Sequence, residues 1–310
     1  MKNSIVITGA NGFVGAQLSS KLRESFNEVI GLTSNRLAAD EKRDLYFINY
    51  DDTTAVTNIL RTMDTLIHCA GLAHQNEVSS EKYFMANVNL TKKIATQAKL
   101  QKMKLFIFLS TSKIYGDHGY SKKNTKEGVD DAPKSEYAHS KQLAEAALIE
   151  IFKNSETKLV ILRLPLLYGS HYKGNLKRIE SLLRKGLPLP FYEITENKIS
   201  LLSINNLINF IIFLCNQKNL KSDIFNLSDS ISYSTSDIFY YVAMQNNLPI
   251  KRIFNFKRII KYLIKILFKN EHDRLYSDME ICTDKVRHIY DWHPEAKLMD
   301  GIGGKASDSI

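Results

Sequence analysis

The chain has 310 residues, 44% of them hydrophobic, and a formal net charge of +9, room for one large α/β domain and a smaller partner. Seven basic residues and no acid fall between Lys251 and Lys269, and removing those seven from +9 leaves +2. The basicity is therefore local, which excludes a general nucleic-acid surface. Cys69, Cys215 and Cys282 are too scattered for a disulfide framework or a metal site, so a reducing, cytoplasmic compartment is expected.

In chain order, Asn3 to Thr8 is an apolar β-branched run that predicts a buried strand, and Lys2 leads straight into it without a signal peptide. Gly9-Ala-Asn-Gly-Phe-Val-Gly15 follows, and Phe13 to Phe26 has helical spacing. A tight turn into a helix N-terminus aims backbone N–H groups at a pyrophosphate, and glycine allows close approach. Gly9, Asn11, Gly12, Phe13, Val14 and Gly15 are thus candidates for holding a dinucleotide. Apolar runs at Glu28 to Leu32, Asp44 to Ile48, Thr65 to Cys69, Leu105 to Leu109 and Leu159 to Leu164 alternate with helical patterns. That alternation predicts a doubly wound parallel α/β sheet, a Rossmann fold, with its sites at the carboxyl ends of the strands. Tyr137 and Lys141 stand four apart, on one face of a helix, where an ammonium favours ionisation of a phenol. The uncharged stretch Ile199 to Gln217 raises a transmembrane question, but Ser200, Ser203, Asn205, Asn206, Asn209 and Asn216 favour a strand followed by an amphipathic helix.

With His68-Cys-Ala-Gly71, Asn87-Val-Asn-Leu-Thr91, Leu109-Ser-Thr-Ser-Lys-Ile-Tyr-Gly116, Tyr137-Ala-His-Ser-Lys141 and Leu162-Arg-Leu-Pro-Leu-Leu-Tyr-Gly169 in this order, the chain resembles the extended short-chain dehydrogenase/reductases. The branch is that of nucleotide-sugar epimerases, dehydratases and reductases. The resemblance implies a catalytic set of Thr111, Tyr137 and Lys141, with Tyr137 as acid/base and Lys141 lowering its pKa while binding the nicotinamide ribose. It implies cofactor contacts from Asp51 (adenine), Ala70, Gly71, Asn87 and Leu164. Substrate contacts fall on Thr111 and Ser112 and, in a smaller sugar-nucleotide domain, on Asn175, Lys198 and Arg274. The Rossmann domain is expected over 1–170 with 199–228 returning to its sheet, and the substrate domain over 171–198 and 229–310.

The coenzyme reads as NAD or NADP. Thr33 stands where an acidic residue would receive the NAD ribose, and Thr33 with Arg36 leans toward NADP. A relative's phosphate-pairing arginine is Ile199 here, with Lys198 beside it. The expected reaction is hydride transfer at C4 of a UDP-hexose or UDP-N-acetylhexosamine, as epimerase or as 4-keto-sugar reductase. A polyprenyl-diphosphate-linked sugar is a further alternative. A non-catalytic dinucleotide-binding regulator is disfavoured by the Tyr137/Lys141 pair. A homodimer is expected. Lys257, Lys261, Lys265 and Lys269 recur every four residues beside an Ile/Leu/Phe face; such a 252–269 helix either caps the substrate domain or lies on an anionic membrane surface.

Overall fold

In this computed structural model, residues 4–73, 78–127, 133–169, 172, 174–187, 189–251, 269–295 and 297–298 are described. The basic segment 252–268 lies outside them. Two compact units emerge, one from residues 1–114, 131–164 and 207–225 and one from 115–130, 165–206 and 226–310.

The first unit is built on strands β1 (Ser4–Thr8), β2 (Glu28–Thr33), β3 (Leu45–Phe47), β4 (Thr65–His68), β5 (Leu105–Thr111) and β6 (Lys158–Leu164). Every residue of β1, β4 and β5 is buried, as expected of a sheet covered by helices on both faces. The strands pair in parallel in the order β3-β2-β1-β4-β5-β6. The order reverses between β1 and β4, which opens a crevice at their carboxyl ends. In the core, Val6, Leu66, Phe106, Phe108 and Ile161 pack against Ala95, Ala98, Leu148 and Phe152 of the covering helices.

Local chemistry places the helices. Gly12, extended at φ −76° and ψ 172°, precedes helix Phe13–Ser25. Ser135 caps helix Glu136–Phe152 by accepting from the Ala138 N–H at 3.3 Å. Between β4 and β5 the chain runs as Ser80–Tyr83, a wide π turn over Phe84–Asn89, and helix Leu90–Leu100.

Pro165 ends β6; it has no N–H to extend the ladder. The chain leaves the large sheet there, and β7 (Leu166–Tyr168) pairs with β8 (Ile199–Ser203) in the second unit. This corrects the expectation for 199–228. Strand β8 does not return to the large sheet; only helix Ile204–Cys215, from Leu207 on, and β9 (Asp223–Asn226), beside β6, rejoin the first unit. Residues 115–130 also group with the second unit rather than with 1–170. Strand β10 (Ser232–Tyr233) completes the small sheet antiparallel to β8. A strand and a twelve-residue helix thus occupy the uncharged stretch, and no described helix is long and apolar enough to cross a membrane.

The second unit is held by Asp229, whose carboxylate accepts from the Tyr168 hydroxyl (2.6 Å), the Ser203 N–H (3.0 Å) and the Asn206 amide (2.7 Å). Helix Thr235–Gln245 is started by a reciprocal Ser234/Asp237 capping box. It packs Phe239, Tyr241 and Val242 against Tyr168, Leu176 and Leu201.

Candidate active site

The glycine turn has the shape its sequence predicts. Gly9 has φ +67°, and a Cβ there would lie 2.8 Å from the Ala70 backbone. A Cβ on Gly15 would collide with the Gly9 carbonyl and stand 2.9 Å from the Ala10 Cα. The cradle therefore excludes side chains at both positions, leaving Phe13, Val14 and Gly15 in the first turn of the helix, where N–H groups have no intrahelical acceptor. These residues fit a dinucleotide pyrophosphate.

Around the turn, a hydrogen-bond relay crosses the crevice. The Ala70 N–H donates to Thr8 Oγ1 at 3.2 Å, and Thr8 Oγ1 lies 2.7 Å from His68 Nδ1. His68 Nε2 lies 2.9 Å from Thr91 Oγ1, whose hydroxyl donates to the Asn87 carbonyl at 2.6 Å. Thr91 must therefore accept from Nε2–H, and Nδ1 accepts from Thr8. Burial, and then the charge of Lys141, pushes His68 down to about 3, so it is a neutral bridge rather than an acid. Asn87 accepts from the Leu72 N–H (2.7 Å) and donates to the Leu72 carbonyl (3.1 Å) and Ser140 Oγ (2.9 Å). It thereby ties the loop after β4, with Ala70 and Gly71, to the helix of Tyr137.

Thr111 ends β5 and accepts from the Lys113 N–H at 3.2 Å; its side chain is also hydrogen-bonded with that of Tyr137. The structure thus brings the two hydroxyls together. Ser112 is buried beside Thr111. Leu164, also buried, ends the neighbouring strand β6 at the register position of Thr111.

The Tyr137 phenol is shifted above its ordinary value. Burial dominates and pushes it up to about 12, partly offset by Thr111 and reinforced by Tyr83, whose ring is 6.0 Å away. Lys141, only 7% exposed, has its Nζ 3.9 Å from the centre of the Phe108 ring. Burial brings its ammonium down to about 8 against the opposing pull of Glu145 and Cys69.

This cation therefore weakens the fold at neutral pH. Lys141→Met is expected to be more stable than the parent at pH 7, by about 3 kcal/mol at most, at 1.36 kcal/mol per unit of pKa. The folded parent sheds this proton near pH 8 and the unfolded chain near 10.5. Parent stability therefore rises across that window, and the variant's advantage vanishes by its upper end. Urea unfolding of both chains at pH 7 and pH 10.5 measures this; a variant less stable than the parent at pH 7 contradicts it.

Other expected contacts are placed as follows. The Thr33 hydroxyl is buried and accepts from the Asn35 N–H at 3.0 Å, while the Arg36 guanidinium lies 4.8 Å over the Phe47 ring. Asp51, with its side chain 77% exposed, is paired with Lys93. In the second unit Asn175 opens helix Asn175–Leu183. Lys198 is exposed, its N–H donating to Asp278 Oδ1 at 2.8 Å, with Ile199 buried beside it in β8. Arg274 lies on helix Lys269–Tyr276, and its side chain is outside the described residues.

Glu145 and Arg163 are two further residues of the site to which the sequence pattern assigns no role. Arg163 Nη2 donates to Glu145 Oε2 at 2.7 Å and Arg163 Nε at 3.1 Å, and the Ser110 hydroxyl also hydrogen-bonds Glu145. Both charged side chains are at most 5% exposed. The signal was the spacing of four from Lys141 to Glu145.

The family described as "NAD dependent epimerase/dehydratase" matches residues 5–228. Among curated proteins, UDP-glucose 4-epimerase of Vibrio cholerae is 30% identical over 310 residues, covering 97% of this chain and 94% of that protein. The chain belongs to this family of enzymes. A 4-epimerase of Escherichia coli O157:H7, named for N-acetyl-alpha-D-glucosaminyl-diphospho-ditrans,octacis-undecaprenol, is 24% identical over 260 residues, 81% of this chain and 74% of that protein. Two solved structures share the fold. One is UDP-glucuronic acid 4-epimerase from Bacillus cereus with UDP-glucuronic acid and NAD (TM-score 0.75, 19% identity, 96% of both chains). The other is the Bordetella bronchiseptica enzyme WbmG with NAD (TM-score 0.75, 18% identity, 97% of this chain and 92% of that one).

For this epimerase/dehydratase family member the lean toward NADP is not supported. Both neighbouring structures contain NAD. Here the Thr33 hydroxyl accepts from the Asn35 N–H of its own turn and the Arg36 guanidinium packs on Phe47.

Proposed function

We propose that this chain interconverts UDP-sugars by 4-epimerisation with NAD, and that Thr111, Tyr137 and Lys141 carry the reaction. The observation that carries this reading is the Thr111–Tyr137 hydroxyl pair at the carboxyl end of the same parallel sheet that presents the glycine cradle. NAD, held by the glycine cradle, would supply a reversible hydride acceptor for C4. Tyr137 moves the proton at the C4 oxygen, leaving a keto sugar, and gives it back after the sugar has turned its other face. Thr111 orients that phenol, and the Lys141 ammonium binds the ribose hydroxyls. Asp51 lies toward the adenine, Ala70, Gly71, Asn87 and Leu164 line the cofactor, and Ser112, Asn175, Lys198 and Arg274 meet the substrate. The enzyme acts as a homodimer in the cytoplasm.

A second substrate, a polyprenyl-diphosphate-linked sugar, is favoured by the Escherichia coli relative and by the basic run Lys251 to Lys269, suited to an anionic membrane surface. Purified protein is expected to retain NAD and to equilibrate UDP-glucose with UDP-galactose, or their N-acetylated forms, without net cofactor consumption. Turnover only on a lipid-linked sugar would transfer the assignment to the second substrate. Stoichiometric NADPH oxidation on a 4-keto sugar would make the enzyme a reductase.

A further inference from the structure

Lys141 is almost wholly buried, and its surroundings offer little to support a charge. From β4 it is faced by His68 and from the next residue by Cys69; β5 contributes the Phe108 ring. Burial keeps His68 neutral and pushes the Cys69 thiol up to about 12. Glu145, one turn along the same helix, favours the ammonium form of Lys141. That carboxylate is fixed in place: Arg163 of β6 grips it through two nitrogens and Ser110 of β5, the residue before Thr111, holds it by a hydroxyl. Burial of all three keeps water from screening the set.

We infer that Glu145 and Arg163 are positioning residues that set the charge of Lys141 in opposite directions, Glu145 holding the ammonium protonated and Arg163 limiting that pull. The inference rests on the reading of Lys141 as the ribose-binding cation, since only there does its protonation matter to catalysis. An ion pair that merely braces the fold would lose stability from either end, with no opposed effect on Lys141. A pair that tunes Lys141 moves it one way when the anion is removed and the other way when the cation is removed.

The test follows the Lys141 side-chain carbon adjacent to the ammonium by NMR against pH, with Lys141→Met giving the assignment. Glu145→Gln is expected to lower the titration midpoint by about 1 pH unit or more, the low end for a charge partner at close range. Arg163→Gln should raise it. Glu145→Asp, which keeps the charge, should return it toward the parent. The neutral double variant Glu145→Gln/Arg163→Gln guards against misfolding of either single variant, and should lie below the parent, because the nearer charge dominates. Midpoints moving the same way in the single variants, an unmoved midpoint in all of them, or a double variant at or above the parent would overturn the inference. NAD affinity is measured in parallel on the parent: absence of binding removes the functional reading of Lys141, while the titration still decides whether the pair tunes it.

Discussion

Tyr137→Phe is expected to lose roughly 10²–10⁴-fold in turnover, the range for a positioned general acid–base group, while the fold and NAD affinity stay near parental. The variant removes one oxygen that hydrogen-bonds with Thr111 and leaves the ring facing Tyr83. Burial has raised this phenol, so at neutral pH the ligand-free chain holds it protonated, the form that donates to a keto oxygen. Removing the hydroxyl abolishes donation and abstraction together. Turnover should therefore fall in both directions of an epimerisation, whereas loss of one hydroxyl contact to a bound sugar would change KM more than kcat. Steady-state rates from each epimer, with calorimetric NAD binding, make the measurement. Turnover within a few-fold of the parent would take Tyr137 out of the reaction.

The largest expected effect on stability comes from Arg163→Leu. The Arg163–Glu145 pair joins β6 to the helix of Tyr137 and Lys141 across a dry interface. Removing one partner leaves a buried carboxylate supported by Ser110 and Lys141 alone, and breaking such a pair typically costs about 3–5 kcal/mol. That is a large share of the roughly 5–15 kcal/mol that holds an ordinary domain folded. Replacing both members together, as in Arg163→Leu/Glu145→Leu, should recover part of the loss because the buried carboxylate is then no longer stranded. Chemical denaturation of the two variants decides this. A single variant as stable as the double one would mean that the pair contributes little.

The sequence by itself determined the doubly wound α/β class, the glycine cradle and the helix carrying Tyr137 and Lys141. Each follows from short-range rules: β-branched runs between helical patterns, glycines where a Cβ strikes backbone, and a serine cap just ahead of Glu136. The separation of Tyr137 and Lys141 by one helical turn needed nothing beyond residue counting. Tertiary structure alone decided the electrostatics. How far the Tyr137 phenol and the Lys141 ammonium shift depended on how deeply each is buried, because desolvation acts on every charge removed from water. The departure of the chain from the large sheet at Pro165 hung on strand pairing between residues about thirty-five positions apart, Leu166 with Leu201, which hydrophobic pattern cannot specify. The bond between Glu145 and Arg163, and the relay through His68, likewise join residues that adjoin only once the parallel sheet is assembled.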